Sequence, residues 1–161
     1  MFASVKRHAS RVNLHKEKFI VTLKLSQLVI ANNSSVEPGC ILTVCFEKGG
    51  KISTSNHILF DTQNDDVNPL INHVPLNYVT IPTDERLELV VSMFKNAEST
   101  SYQPKRGRII LRQLKHNPTL GMEAFKSVGM CELSLDELVR KLGSERMYSE
   151  DLNAELNNLP G

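Results

Sequence analysis

Apolar and polar residues alternate along most of this chain, and a period of two is the mark of strands with one buried face. From Lys18 to Ile30, Phe19, Val21, Leu23 and Leu25 fall at alternate positions, with Thr22, Lys24 and Ser26 between them. A run of turn formers from Ala31 to Gly39 follows. Cys40 to Phe46 then sets Leu42, Val44 and Phe46 in register as a second strand, so the pair reads as a hairpin with a wide loop. Gly49-Gly50 between Lys48 and Lys51 signals a tight turn, because glycine takes positive φ without steric penalty. Lys51 to Phe60 reads as a third strand.

From Asp61 to Asn72 the residues turn polar, which predicts a long loop. Val74 to Ile81 alternates again. Arg86 to Phe94 is the densest β segment, with Leu87, Leu89, Val91 and Met93 on one face and Val90 and Phe94 on the other. Apolar residues on both faces predict a central strand. Asn96 to Gly107 reads as a polar loop, Arg108 to Leu114 as a strand, His116 to Met122 as a loop with Pro118 and Gly121, and Phe125 to Leu133 as the last strand.

The period changes at Ser134. Ser134-Leu135-Asp136-Glu137 fits a capping box, in which the serine hydroxyl and the glutamate would satisfy the first free amides of a helix. Leu135, Leu138, Val139 and Leu142 keep helical spacing up to Gly143, the expected C-cap. Ser149-Glu150-Asp151 opens a second short helical pattern, with Leu152, Leu156 and Leu159 on one stripe. Many short strands with polar turns, and helices only near the end, predict an all-β antiparallel sandwich. The expected organisation is a basic leader over 1–17, the β-sandwich over 18–143, and a helical tail over 144–161 leading into a linker at Leu159-Pro160-Gly161.

A length of 161 residues suits one domain with its own core. Lys and Arg total 19 against 18 for Asp and Glu, so the whole molecule exerts no strong field, and an electrostatic partner must be read by a local patch. Nucleic acid is therefore not an expected partner. The leader is one basic patch, with Lys6, Arg7, His8, Arg11, His15, Lys16 and Lys18 against Glu17. Cys40, Cys45 and Cys131 form no CxxC, and an odd number of thiols fits a reducing cytosol better than a disulfide-stapled scaffold. No window reaches the roughly 18 apolar residues of a membrane span, so any membrane contact is expected to be peripheral.

Candidate chemistry is sparse. Five histidines stand outside any nucleophile or metal motif, and no GxSxG, HExxH, P-loop or GxGxxG occurs. Catalysis and a bound cofactor are therefore not expected. Asp61, Asp65 and Asp66 resemble a fragment of a calcium loop but lack the glycine and later ligands of an EF-hand, which leaves a solvated loop. Lys105-Arg106-Gly107-Arg108 is a compact basic run at a loop mouth, and Lys48 and Lys51 flank the glycine turn. If these converge they could meet anionic head groups, each basic residue contributing roughly 1 kcal/mol. If they do not, they serve as solvated charge.

The basic leader, the Lys18-Phe19 strand opening, the segment Leu87 to Lys95 and the closing Gly129-Met130-Cys131-Glu132-Leu133-Ser134-Leu135 together resemble the amino-terminal C2 (NT-C2) domain family over about residues 5 to 143. The resemblance implies an eight-stranded antiparallel C2-type β-sandwich with short C-terminal helices, carried by longer cytoskeletal or trafficking adaptors that dock on membranes without catalysis. In calcium-dependent C2 domains, apical aspartates hold the ion. Here the corresponding loops hold Asn32, Asn33 and Glu37, and Asn96 and Glu98, so calcium dependence is not expected. The functional expectation is a cytoplasmic, peripheral membrane module that binds anionic phospholipid or phosphoinositide. Its candidate lipid contacts are Lys48, Lys51, Lys105, Arg106, Arg108, Lys6, Arg7 and Arg11. The alternative is a protein-interaction scaffold using a sheet edge or the Leu152, Leu156 and Leu159 stripe.

Overall fold

The computed structural model describes residues 14–31, 34–61, 78–96, 98–117, 122–141 and 157–158. The chain is all-β, and its strands pair antiparallel. In chain order they are β1 (Leu14–Ala31), β2 (Ile41–Lys48), β3 (Lys51–Thr54), β4 (Ile58–Leu59), β5 (Tyr78–Asn96), β6 (Arg106–Asn117) and β7 (Met122–Ser134), then the helix α1 (Leu135–Arg140) and β8 (Asn157–Asn158). They are divided unequally. β1 and β5 form a long two-stranded ribbon, while the second sheet runs β3-β2-β6-β7-β8 with β4 also paired to β2.

The alternation seen in sequence places the core between the two sheets. Leu87, Leu89, Val91 and Met93 of β5 and Leu28 and Ile30 of β1 meet Leu42, Val44 and Phe46 of β2, Leu111 of β6 and Val128 of β7 in one apolar cluster. Burial of these side chains, each contributing about 1.5–3 kcal/mol, holds the sheets together. Among the described residues three polar side chains lie in this interior. Ser55 Oγ accepts the Val44 amide at 2.9 Å and donates to the Asn56 carbonyl at 2.8 Å, and Gln113 Oε1 accepts the Glu37 amide at 3.0 Å. Thr43 is the third, on β2.

Several boundaries differ from the sequence reading. β1 begins at Leu14, not Lys18, so the end of the expected leader is strand. Glu17 occupies the inner row there, ion-paired with Lys95, beside His15 and accepting the Tyr102 hydroxyl. The two expected strands at Val74–Ile81 and Arg86–Phe94 are one strand, of which the described part starts at Tyr78. Pro82, Thr83 and Asp84, between the two expected strands, lie within the ladder, which passes through them with a register shift opposite Leu25 and Gln27, and Thr83 Oγ1 donates to the Leu25 carbonyl at 2.8 Å. A bulge is where a strand tolerates proline. β5 is not central in its sheet; its outer face is only half covered, with Val90 44% exposed. The third strand breaks at Ser55, whose side chain turns into the core, leaving β3 and β4 as separate pieces.

At α1 the capping box does not form. Ser134 occupies the N-cap without a side-chain cap bond, and its hydroxyl donates instead to Asp136 Oδ1 at 3.1 Å. The helix start is held from outside. Leu135 N–H donates to the Lys105 carbonyl at 2.7 Å, and Asp136 Oδ1 accepts the Lys105 amide at 2.8 Å. Among the described residues α1 ends at Arg140, and the expected C-cap at Gly143 lies outside them. Asn157–Asn158 pairs with Gly129 and Met130 as a strand, so the expected second helix does not run through this point. Leu152, Leu156 and Leu159 lie outside the described residues, as do Lys6, Arg7 and Arg11.

Candidate basic docking surface

The five basic candidates that the structure describes gather at one end of the molecule. The β2–β3 turn carries Lys48 and Lys51 as cross-strand partners, and Gly49 and Gly50 between them adopt φ of 52° and 79°. β6 starts beside this turn because it pairs antiparallel with β2, setting Arg108 directly opposite Glu47. On its other side Arg108 lies opposite Glu132 and Arg106 opposite Ser134 of β7. Lys48, Gly49, Gly50, Arg106 and Arg108, with Glu47 and Glu132, line an open groove of about 380 Å³. A second depression is lined by Lys48, Phe94, Gln103, Pro104, Lys105 and Arg106.

These cations are not equivalent. Arg106 Nη1 lies 2.8 Å from Glu132 Oε2, and Arg108 is ion-paired with Glu47. Lys51 Nζ donates to the Val90 carbonyl at 2.9 Å. Lys105 donates to the Ser92 carbonyl and sits 5.5 Å from the centre of the Phe94 ring. Lys16 approaches the same ring at 6.0 Å. Among the described residues Lys48 makes no ion pair. Among the described residues the five cations stand with three carboxylates, Glu47, Glu132 and Asp136, the last of which accepts the Lys105 amide, a formal excess of two positive charges. The glutamates are the part that sequence reasoning missed. Their positions become meaningful only once the β2–β6–β7 register is known, although Glu47-Lys48 beside the glycine turn was a usable hint.

A polar cluster lies next to Phe94, at the Leu14–Asn96 end of the β1–β5 ribbon. Lys95 Nζ lies 2.8 Å from Glu17 Oε1, His15 Nε2 is 3.2 Å from the same oxygen, and Tyr102 donates its hydroxyl to Glu17. The Lys95 hydrogen bond, then that from Tyr102, holds the Glu17 carboxyl below its ordinary range. The same bond from Glu17 holds Lys95 above its ordinary range, and burial, followed by the Glu17 contact, raises Tyr102. The Tyr102 ring also meets Phe19 edge-on at 5.5 Å. This cluster anchors the loop that delivers Gln103, Pro104 and Lys105 to the basic end.

Cys45 is buried with Sγ 3.5 Å from Thr54 Oγ1, while the His57 ring packs 5.8 Å from that of Phe125. Burial is the main cause raising the Cys40 and Cys131 thiols above their ordinary range. Among the described residues no three His, Cys, Asp or Glu side chains converge as metal ligands, and Asp65 and Asp66 lie outside those residues. No described helix is long and apolar enough to cross a membrane. Comparison with family models, with curated proteins and with solved structures finds no match.

Proposed function

We propose that the chain is a non-catalytic C2-type β-sandwich module of a cytoplasmic adaptor, and that it docks its protein on anionic phospholipid without calcium. The observation that carries this reading is the gathering of Lys48, Lys105, Arg106 and Arg108 around two adjoining depressions, with Lys51 paired across the turn from Lys48. Resemblance to the NT-C2 family supports the module and the membrane, and the free thiols of Cys40, Cys45 and Cys131 suit the cytosol. A net excess of two charges gives roughly 2 kcal/mol at an anionic surface, enough for weak reversible docking. Docking becomes firm only when further signals, such as the basic residues Lys6, Arg7 and Arg11, add to it.

Sedimentation of the chain with phosphatidylcholine vesicles carrying phosphatidylserine and a phosphoinositide tests the proposal. Binding is expected in the presence of a calcium chelator and should weaken as salt shortens the Debye length to about 10 Å at 0.1 M. Lys48→Glu combined with Arg106→Gln should abolish most of it. Vesicle binding that survives this double change, or that appears only when calcium is added, would overturn the assignment.

A further inference from the structure

The two edges of the β1–β5 ribbon are treated differently. On β5, groups that point away from β1 are occupied from the second sheet and its loops. The Glu88 amide donates to Ser53 Oγ at 3.0 Å, the Val90 carbonyl accepts from Lys51 at 2.9 Å, the Ser92 carbonyl accepts from Lys105, and the Phe94 carbonyl accepts the Gln103 amide at 2.8 Å. Residues 88, 90, 92 and 94 stand opposite Thr22, Ile20, Lys18 and Lys16. In an antiparallel ladder such pairs exchange no hydrogen bonds, so the amides and carbonyls of Lys16, Lys18, Ile20 and Thr22 also point outward, on the opposite edge. Among the described residues no strand pairs with that edge.

The side chains of β1 specify what would fit there. Along the inner row, Leu87, Leu89 and Val91 of β5 are buried, while their direct partners Leu23, Val21 and Phe19 on β1 are only half-buried. The core is thus apolar up to its margin on the β1 side and uncovered beyond it. Along the outer row, Lys16, Lys18 and Lys24 surround Ile20, which is 68% exposed. The Lys24–Asp84 pair, at 3.8 Å between well-exposed side chains, neutralises little.

We propose that the outer edge of β1 receives an extended strand from a partner protein, with apolar residues on its inner row and acidic residues on its outer row. Strand addition would satisfy the outward backbone groups of Lys16 to Thr22, extend the core past Phe19, Val21 and Leu23, and set carboxylates beside the lysines. A second copy of this chain fits less well. Antiparallel pairing of β1 with itself about Ile20 sets Lys16 opposite Lys24, and like charges directly opposite oppose pairing. This inference stands apart from the membrane reading, whose described residues lie on β2, β3, β6 and the loop before β6.

The test uses the whole isotope-labelled chain and a fluorescent peptide of alternating glutamate and valine. Anisotropy should show saturable binding that weakens with salt, and amide exchange should slow at Lys16, Lys18, Ile20 and Thr22, while amides already bonded to β5 change little. Lys18→Glu with Lys24→Glu should weaken the peptide about tenfold and admit an alternating lysine–valine peptide instead. Thr22→Pro removes an outward amide and the Thr22 hydroxyl bond to Glu88 but no backbone bond of the β1–β5 ladder, and should abolish binding while a melting curve shows the fold retained. Absence of binding would overturn the proposal, as would protection at the Lys48 groove instead of β1. Protection of the β1 amides in the isolated chain would overturn it too, as self-association if concentration-dependent and as coverage by the chain's own residues if not. Vesicle binding lost in Lys48→Glu with Arg106→Gln leaves this result untouched, so the two readings fail separately.

Discussion

Gly107 lies within the basic run Lys105 to Arg108, yet it is buried in β6, and a Cβ added there would fall 2.8 Å from Phe46 Cε2 and 3.4 Å from Leu135 Cδ1. Two effects oppose each other in Gly107→Ala. Removing glycine from a strand interior ordinarily stabilises by about 0.5–1 kcal/mol through lost unfolded-state freedom. Pressing a methyl group into a packed core costs about 1–3 kcal/mol. Phe46 is fully buried and cannot swing into solvent, so overpacking should win by about 1–2 kcal/mol. In a chain of this size that lowers the melting temperature by about 2–8 °C. Calorimetry or the circular dichroism of the β-sheet would read it. Phe46→Leu should be destabilising alone through the cavity it leaves, yet should recover part of the loss when combined with Gly107→Ala, giving a coupling of about 0.5–3 kcal/mol. An unchanged or raised melting temperature for Gly107→Ala would refute the reasoning, because the aromatic ring would then yield at no cost.

Ser55→Ala should cost about 1–3 kcal/mol in urea unfolding, because the buried Val44 amide loses its acceptor at 2.9 Å; Ser55→Thr, which keeps the hydroxyl, should cost less. Glu17 contributes stability through a lowered carboxyl pKa, so its contribution is complete above the ordinary glutamate range and is lost as pH falls through the lowered folded value. Glu17→Gln should therefore flatten the acid limb of the stability curve relative to the parent, and a parallel acid limb would exclude this role. Lys95 and Tyr102, both raised, act at the other end: their contribution is lost as pH rises through the alkaline range.

Strands with one face on the core were legible because burial writes a period of two into them: β1, β2, β6 and β7 all appear at or near their expected places. β5 was divided in error because Pro82-Thr83-Asp84 has the composition of a turn, and only the bulge against β1 shows how the ladder absorbs it. Its apparent two-sided apolarity misplaced it as central; Val90 faces outward beside Ile20 instead of another layer. Ser134 to Glu137 matched a capping box, but β6 reached the helix start first, through the Lys105 backbone. The members of the basic cluster could be named from sequence. Their convergence, and the glutamates that temper it, depend on the β2–β6–β7 register, which no local pattern encodes.

The cluster also serves a purpose that charge alone does not reveal. Lys51 and Lys105 hold carbonyls on the outer edge of β5, and an unpaired edge of that length would otherwise invite pairing with other chains. An anionic head group that drew both lysines away would uncover Val90 and Ser92, so docking there opposes edge protection. Lys48, Arg106 and Arg108 carry no such duty, since their described contacts are with the groove and its two glutamates. Under the proposed docking, those three would therefore make the head-group contacts, while Lys51 and Lys105 would add field and stay bonded to β5. The β1 edge has lysines too, but they project from the strand's own outer face, and among the described residues no strand occupies its backbone groups. One edge of the ribbon is thus closed by cations reaching across from the second sheet, and the other is left as a charged template whose complement is an acidic strand.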